Sequence, residues 1–504
     1  MESLFIKEVT ELFYQYRNVL IYGAGGVAED FLLLLEPYLG EKETGKCQPC
    51  VVVSDKKENQ DFLKGYPVKE ISEFYEVRDE VYIIVSVMPR YMVQIEEHLN
   101  ELGFHNYCRV SSFIDQMYEE IWINPQVKNK VVFSNGDGYG FGGNPKYIAL
   151  ELLSRRTGSA QGIDLVWITN DCSRKLPDGV RAVKYGSYEH YYELGTARVW
   201  IDNQHKNFLS RKRTGQIYIQ TWHGGGPLKK IEFDAEGLSD SYLDLCEFNS
   251  EMEDIMVSPS KFNSQLYRRA FHYQGQVMEC GYPRNDIFWT DNGCRKKIER
   301  LYHIKPEEGI VLFAPTYRES DVEEAFISHN NVSAESHGDY DAKNILDLKG
   351  VQQALEFKTG KKFKALVRFH PYDRNPERRY VWCEEWENVT DYDDVQELLA
   401  ASDILITDYS SIMWDFSIQG KPVFLFHPDL DRYERERGYY LAFDQMPYIE
   451  AFSNEELYRK IKQFDEVSYK KKLTGFLTEY GSFDRGTASK VIADTIMEMI
   501  KNRN

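Results

Sequence analysis

The sequence predicts an α/β protein made of three consecutive doubly wound units, a small one followed by two more of the same kind. Short apolar strands alternate with helices, which implies parallel sheets. The first strand runs straight into a glycine-rich turn and then a helix. The length of 504 residues, at about 150 residues per domain, suggests about three domains. Hydrophobic residues make up 42% of the chain and aromatics 14%, which supplies packed cores and excludes a mostly disordered chain.

Residues 1–118 form the first unit. Its opening, with Glu2, Lys7, Glu8 and Glu11 spaced among apolar residues, reads as an amphipathic helix. It lacks the basic start and small-residue cleavage site of a signal peptide. Strands are expected at 18–22, 51–55 and 81–87, with a helix from about Glu29 to Leu35, where Glu36 and Pro37 stop the aliphatic run. Gly23, Gly25 and Ala28 match a G-x-G-x-x-A turn, and Asp55 at the second strand's end is placed to hold a ribose. Gly23, Gly25 and Asp55 are therefore the candidate residues for an NAD-type ligand. The same turn also lets a helix pack tightly on a strand, and a structural or partner-docking unit is the preferred reading. Cys47 and Cys50 form a lone C-x-x-C without a second pair, so no metal is expected. The eight cysteines are irregularly spaced and read as reduced cytosolic thiols.

A linker with Asn124-Pro125-Gln126 leads into the second unit, 128–275, with strands at 131–133, 164–168, 197–201 and 216–220. The third unit, 276–504, has strands at 310–314, 364–369, 403–407 and 422–426, and a polar surface excursion over 319–349. Two such units in succession outline a two-lobed transferase, with ligands beyond the C-terminal strand ends. No stretch approaches 18 apolar residues, so no spanning helix is expected. The formal charge of −19 argues against nucleic acid as a partner. A phosphate-rich substrate then requires a cleft that is cationic locally. Arg211-Lys212-Arg213 and Lys470-Lys471-Lys472 are candidate contacts for anionic headgroups, with plain solvation as the simpler reading.

Chemistry-bearing residues gather at four strand ends. Gln220 to Lys230 carries His223, followed by Gly224-Gly225-Gly226 and Pro227. A histidine at a strand end beside close-approach glycines suits general base work. No G-x-S-x-G turn accompanies it, which disfavours a serine hydrolase. Thr316 and Arg318 leave the 310–314 strand together, a hydroxyl and a guanidinium suited to phosphate oxygens. Arg368 and His370 share a face of the next strand, and Pro371 ends it. Thr407, Asp408, Ser410 and Ser411 precede a helix expected from about Ser411, where hydroxyls and first-turn amides make an anion site. Asp408 is placed to hold a ribose hydroxyl or to orient a histidine. Asp391, Asp393 and Asp394 lack the spacing of a calcium loop and read as a solvated turn.

These strings, in this order, resemble the CDP-glycerol glycerophosphotransferase family of teichoic-acid primases and polymerases. The likeness covers about residues 128–450. It takes in Phe133, Asn144-Pro145-Lys146, Gln220 to Lys230, Gly281-Tyr282-Pro283-Arg284-Asn285-Asp286, Ala314 to Arg318, Arg368 to Pro371, Thr407 to Ser411 and Glu436 to Tyr440. The chain departs from the family's usual His-Gly-Thr-Pro-Leu-Lys by one extra residue, and Met446-Pro447-Tyr448 stands where Pro-Gly-Pro is common.

The resemblance implies a GT-B-like pair of Rossmann-like lobes, acceptor side first and CDP-donor side second, with the small Rossmann-like domain in front. It implies His223 and His370 as the catalytic histidines. Thr407, Ser410 and Ser411 fall on the CDP-binding segment, with Thr316 and Arg318 near the pyrophosphate. Arg368, Asp408, Gly224, Lys229 and Asn144 complete the expected substrate-binding set. The implied activity moves a polyol phosphate, glycerol phosphate first, from CDP-glycerol or CDP-ribitol to a lipid-linked or polyol-phosphate hydroxyl. No cofactor is required, and the expected location is cytoplasmic, with peripheral contact at the inner membrane face. The alternatives are a nucleotide-sugar glycosyltransferase of GT-B fold and a dinucleotide-binding module with an inert cleft.

Overall fold

The computed structural model describes residues 3–39, 47–56, 59–124, 126–158, 160–224, 229–290, 293–316, 345–369, 386–428, 430 and 438–501. The chain packs as two compact units. The first comprises Met1–Tyr139, Arg156–Ile219 and Ser239–Glu253; the second comprises Gly140–Arg155, Gln220–Leu238 and Asp254–Asn504.

The first unit holds a six-stranded sheet of β1 (Asn18–Tyr22), β2 (Cys50–Val53), β3 (Phe62–Leu63), β4 (Tyr66–Glu70), β5 (Val81–Val85) and β6 (Tyr107–Arg109). Their order is β3-β4-β2-β1-β5-β6; all neighbours run parallel except the β3–β4 hairpin. The same unit carries β7 (Lys128–Ser134), β8 (Asp164–Thr169), β9 (Val180–Lys184), β10 (Ala197–Asp202) and β11 (Ile217–Gln220), in the order β11-β10-β7-β8-β9. Strand β11 carries the chain from the first unit into the second. The second unit contains the parallel pair β12 (Ile255–Ser258) and β13 (Gln276–Glu279).

The second unit is dominated by β14 (Gly309–Ala314), β15 (Phe363–Val367), β16 (Trp386–Asn388), β17 (Ile404–Thr407), β18 (Val423–Phe426) and β19 (Ile449–Ala451). Their order, β16-β15-β14-β17-β18-β19, is all parallel. Counted from β14 it is 3-2-1-4-5-6, the Rossmann order, in which the chain reverses its direction of travel between β14 and β17. Every residue of β14, β17 and β18 is buried. Helices cover both faces, which is why these strands read as unbroken apolar runs.

The amphipathic opening is the helix Leu4–Gln15, with Phe5, Ile6, Val9 and Phe13 buried. It joins one hydrophobic core that extends through Phe31, Leu34 and Leu35 to Tyr118, Tyr191 and Leu209. The next helix is longer than expected, Gly26–Leu39, and runs through Pro37. Pro37 lies close enough to the C-terminal end that few backbone bonds are lost, and buried Leu39 anchors the last turn. Two strands end sooner than the apolar runs suggest: β2 stops at Val53 and β5 at Val85. Asp55 therefore lies two residues beyond β2 and is exposed.

Gly23 has φ +115°, and a Cβ there would stand 2.7 Å from the carbonyl oxygen of Ser86. Gly23 N–H donates to the Val52 carbonyl at 2.8 Å, and Ser86 N–H to the Tyr22 carbonyl at 2.8 Å. The glycine is thus required by close approach of two backbone segments at the β1/β5 reversal. Gly25 has open space around it.

The first basic run is half-buried and bonded to main-chain carbonyls. Arg211 donates to the carbonyls of Phe208 and Ser210, Lys212 to that of Met252, and Arg213 to those of Asn124 and Gln126. Lys470, Lys471 and Lys472 are exposed on the helix Glu466–Tyr480, and Lys470 pairs with Glu466 at 2.6 Å. Among the described residues no helix is long and apolar enough to cross a membrane.

Gly23→Ala is expected to destabilise the first unit by about 2 kcal/mol, through the left-handed φ and the clash with Ser86. Hydrogen exchange of the β1 and β5 amides in ligand-free protein measures this. Unchanged protection would show that the turn has room for a side chain.

Candidate functional site

The reversal between β14 and β17 is where an open α/β sheet leaves a crevice at its C-terminal edge. A cavity of about 200 Å³ opens there. Among the described residues its wall includes Ala314 and Pro315 after β14, Arg368 and Phe369 after β15, and Ser410 and Ser411 after β17. His223, Arg284 and Asp415 complete the polar part of the wall. All of them belong to the second unit.

The segment bearing His223 is held by its main chain. Asn144 Nδ2 donates to the carbonyls of Thr221 at 3.3 Å and Trp222 at 3.0 Å. Arg284 Nη1 donates to the His223 carbonyl at 2.8 Å, and the Tyr282 hydroxyl to the Gly224 carbonyl at 2.8 Å. Four consecutive carbonyls are thereby bound by three side chains. Trp222 adopts φ +53°, a costly conformation for a bulky residue that persists only when its surroundings enforce it. Its N–H donates to Gln220 Oε1 at 2.8 Å, and its indole lies 4.4 Å from the His223 ring. The outcome is a fixed backbone with an exposed imidazole.

The three clamping side chains are themselves fixed. Asn144 is buried and accepts from Arg284 N–H at 3.1 Å. Arg284 Nη2 pairs with Asp415 Oδ2 at 2.8 Å, both buried. Burial raises the Asp415 carboxyl above its ordinary range, and Arg284 opposes this. Asn285 donates to Asp415 at 3.2 Å and accepts from Gln396 at 2.7 Å. Such a buried pair is expensive to desolvate and very costly to break one-sidedly.

Asp408 Oδ1 accepts from Thr316 N–H at 2.9 Å, Thr316 Oγ1 at 3.0 Å and Tyr409 N–H at 2.6 Å. It ties the loop after β14 to the loop after β17, a role different from holding a ribose or orienting a histidine. The Thr407 hydroxyl is buried and donates to the Ala314 carbonyl at 2.6 Å, so it joins the two strands instead of facing the cavity. Ser410 and Ser411 do face it. The helix that follows is short, Ile412–Ser417. Its Met413 and Trp414 amides bond back to the Ser410 and Ser411 carbonyls, so they are not the free donors that the sequence reading expected.

Strand β15 ends at Val367, so Arg368 lies one residue past it rather than within a strand. Arg368 Nη1 donates to the carbonyls of Val389 and Tyr392. Burial lowers its guanidinium, with Asp394 and Asp393 opposing. Lys229 bridges Tyr439 in a two-residue antiparallel contact, and Lys230 N–H reaches the Gly438 carbonyl at 3.1 Å. The string ending in Tyr440 therefore pairs with the segment after His223. His370, Arg318, Pro227 and Glu436 lie outside the described residues.

Asp394 corrects the expectation of a solvated turn. It is buried, and Lys146 Nζ meets it at 2.6 Å and Glu397 at 2.8 Å. Burial alone would raise the Glu397 carboxyl, but Lys146, Lys297 and Tyr392 outweigh it and hold it at about 2. Arg284 and Asp415 are the polar cavity residues not expected from the sequence as site residues. Arg284 was legible inside the Gly281 to Asp286 string; Asp415, one acid in a six-residue helix, carried no signal.

Lys146→Ala should destabilise the second unit by about 3–5 kcal/mol, because it strands buried carboxylates without their cation. Glu397 carries the acid side of this. Its stabilisation is present above the ordinary 4.5 and lost as pH falls through about 2, so in urea titrations the gap between wild type and Glu397→Gln should close over that interval. A gap that stays constant would refute it.

The description "CDP-Glycerol:Poly(glycerophosphate) glycerophosphotransferase" belongs to the family whose model matches residues 116–498. The chain is 28% identical over 430 residues to a teichoic acid poly(glycerol phosphate) polymerase of Staphylococcus epidermidis, covering 81% of this chain and 55% of that protein. It is 28% identical over 392 residues to a teichoic acid glycerol-phosphate transferase of Staphylococcus aureus, covering 74% and 93%. It is 27% identical over 322 residues to a teichoic acid ribitol-phosphate primase of Bacillus spizizenii, covering 61% and 77%. The solved structure of the wall teichoic acid polymerase TagF superposes with a TM-score of 0.63 at 25% identity, over 82% of this chain and 99% of that one. The chain thus spans about half of the Staphylococcus epidermidis polymerase and most of the other relatives. With its two later sheets of Rossmann type and a cavity at a strand-order reversal, this chain is an enzyme of the CDP-glycerol:poly(glycerophosphate) glycerophosphotransferase family.

Proposed function

We propose that the protein transfers glycerol phosphate from CDP-glycerol to a hydroxyl of a lipid-linked or polyol-phosphate acceptor, as in teichoic-acid synthesis. The observation that carries this reading is the cavity at the β14/β17 reversal, whose wall is shared by an exposed histidine, two serines and two arginines. The chemistry is a direct displacement. The acceptor oxygen bonds to the β-phosphorus, the bond from that phosphorus to the bridging oxygen breaks, and CMP leaves with the electron pair. His223 takes the acceptor's proton. His370 and Arg368 neutralise charge on the departing phosphate, a contribution that grows in the transition state. Ser410 and Ser411 bind donor phosphate oxygens through their hydroxyls, with Thr316 and Arg318 beside the pyrophosphate. Thr407 and Asp408 hold the strand ends that present them, and Asn144, Gly224 and Lys229 maintain the His223 segment.

In this reading residues 128–275 serve the acceptor side and 276–504 the CDP-donor side. Ribitol enters as the alternative polyol because a relative is a ribitol-phosphate primase. The proposed location is the cytoplasm, with peripheral contact at the inner membrane face through exposed lysines such as Lys471 and Lys472.

A donor screen of CDP-glycerol, CDP-ribitol and UDP-sugars, read as nucleotide release with a polyol-phosphate acceptor, tests this. CMP release from a CDP-polyol is expected, and turnover of UDP-sugars alone would replace the reading with glycosyl transfer. His223→Ala and His370→Ala should each lower kcat by about 10²–10⁴-fold, the span of lost proton transfer or charge stabilisation. Undiminished turnover in both would sink the assigned roles.

A further inference from the structure

Asp484 lies on the segment after the helix Glu466–Tyr480, far along the chain from the cavity wall, and is buried. Its Oδ1 accepts from Tyr282 N–H at 2.9 Å and from Asn285 Nδ2 at 3.2 Å. Its Oδ2 accepts from the Ser482 hydroxyl at 3.4 Å. Gly281 is pressed against it: with φ +88°, a Cβ there would stand 2.9 Å from the Asp484 Cα. Tyr282 and Asn285 flank Arg284 in sequence; Tyr282 is one of the three clamping side chains, and Asn285 braces the acid that pairs with Arg284. The Tyr282 hydroxyl binds the Gly224 carbonyl. Asn285 shares its one amide group between Asp484 and Asp415, the partner of Arg284.

We infer that Asp484 is a positioning residue of the transfer site: by holding Tyr282 and Asn285 it fixes the two ends of the Arg284 segment that binds the His223 and Gly224 carbonyls. This rests on the reading of His223 as the base.

The charge inventory around Asp484 gives the inference a distinctive signature. Asp415 faces it from the helix Ile412–Ser417, and Asp286 from the turn after Tyr282. Arg284 is bound to Asp415, and Arg485 donates to the main-chain carbonyl of Asp484 rather than to its carboxyl. Of the three acids, Asp415 is paired with Arg284, while Asp286 accepts from the Ala488 and Ser489 amides. Burial, reinforced by Asp415 and Asp286, pushes the Asp484 carboxyl up to about 7. In its neutral form it accepts from Tyr282 and Asn285 without adding charge. Once ionised, it competes with Asp415 for Asn285 and repels it, which loosens the grip of Asp415 on Arg284.

The test compares full-length wild type with Asp484→Asn, which keeps the shape and removes the titration. For CMP release from CDP-glycerol, the wild type should lose kcat on an alkaline limb with a midpoint near 7, while the KM for CDP-glycerol stays within about twofold. Asp484→Asn should abolish that limb. Asp484→Ala should lower kcat by about tenfold or more, as misplacement of a catalytic group does. Superimposable pH profiles for wild type and Asp484→Asn would overturn the inference.

Thermal melts give a readout independent of turnover. A carboxyl raised from 3.8 to about 7 on folding loses its stabilising effect as pH climbs through that interval. The melting temperature of Asp484→Asn relative to wild type should therefore rise between pH 5 and 7 and level off above. A flat difference would also overturn the inference. If the wild type releases no CMP from any CDP-polyol, the proposed function fails, while the melts still decide whether Asp484 titrates.

Discussion

Everything at the site depends on the grip of three side chains on four successive carbonyls, from Thr221 to Gly224. A loop of this kind would ordinarily satisfy those carbonyls with water. Here Asn144, Arg284 and Tyr282 replace the water, and the strained φ of Trp222 is the visible cost. The return is a histidine whose backbone is fixed before substrate arrives, so little reorganisation is left for the reacting complex. Arg284 is the keystone because it bonds the loop, Asn144 and Asp415 at once. An arginine suits this task better than a lysine, since its planar fork serves several acceptors in fixed directions.

The acidic balance of the chain and the phosphate chemistry of its site are compatible for the same reason. Several cations outside the cavity are absorbed by internal partners: Lys146 by Asp394 and Glu397, and Arg211 to Arg213 by main-chain carbonyls. Arg284 and Arg368 are likewise partnered, yet both reach the cavity wall. Anion affinity is therefore set by local placement, and the net charge of −19 describes the remaining surface.

Much of this was legible in the sequence, because parallel strands buried on both faces must be apolar runs. The segments at 18–22, 310–314 and 403–407 announced themselves that way, and the strand-end strings marked the cavity. Short edge strands were not legible: β13 and β19 are mixed in polarity and β3 has only two residues, so pairing partners define them. The tight first turn after Ser411 was also hidden, since a serine pair before a helix looks the same whether the following amides face a ligand or fold back. Asp415 and Asp484 were invisible because their meaning lies in contacts with residues 130 to 202 positions away, where no local pattern marks an acid as buried. Asp394 misled for the opposite reason: a cluster of three acids suggests solvent, and only Lys146, far upstream, shows otherwise.

The second unit draws its residues from three separated stretches of chain. Asn144 enters with the first, His223 with the second, and Arg284, Asp415 and Asp484 with the third. The order of synthesis therefore delivers Asn144 and His223 before Arg284, Asp415 and Asp484, which complete the hold on the His223 segment. Loop-closure entropy makes such distant pairings slow. During refolding, helical and strand signals should return well ahead of competence for transfer. A nascent chain that has already built its first sheet still lacks the Arg284 and Tyr282 bonds to the His223 and Gly224 carbonyls until its last stretch docks.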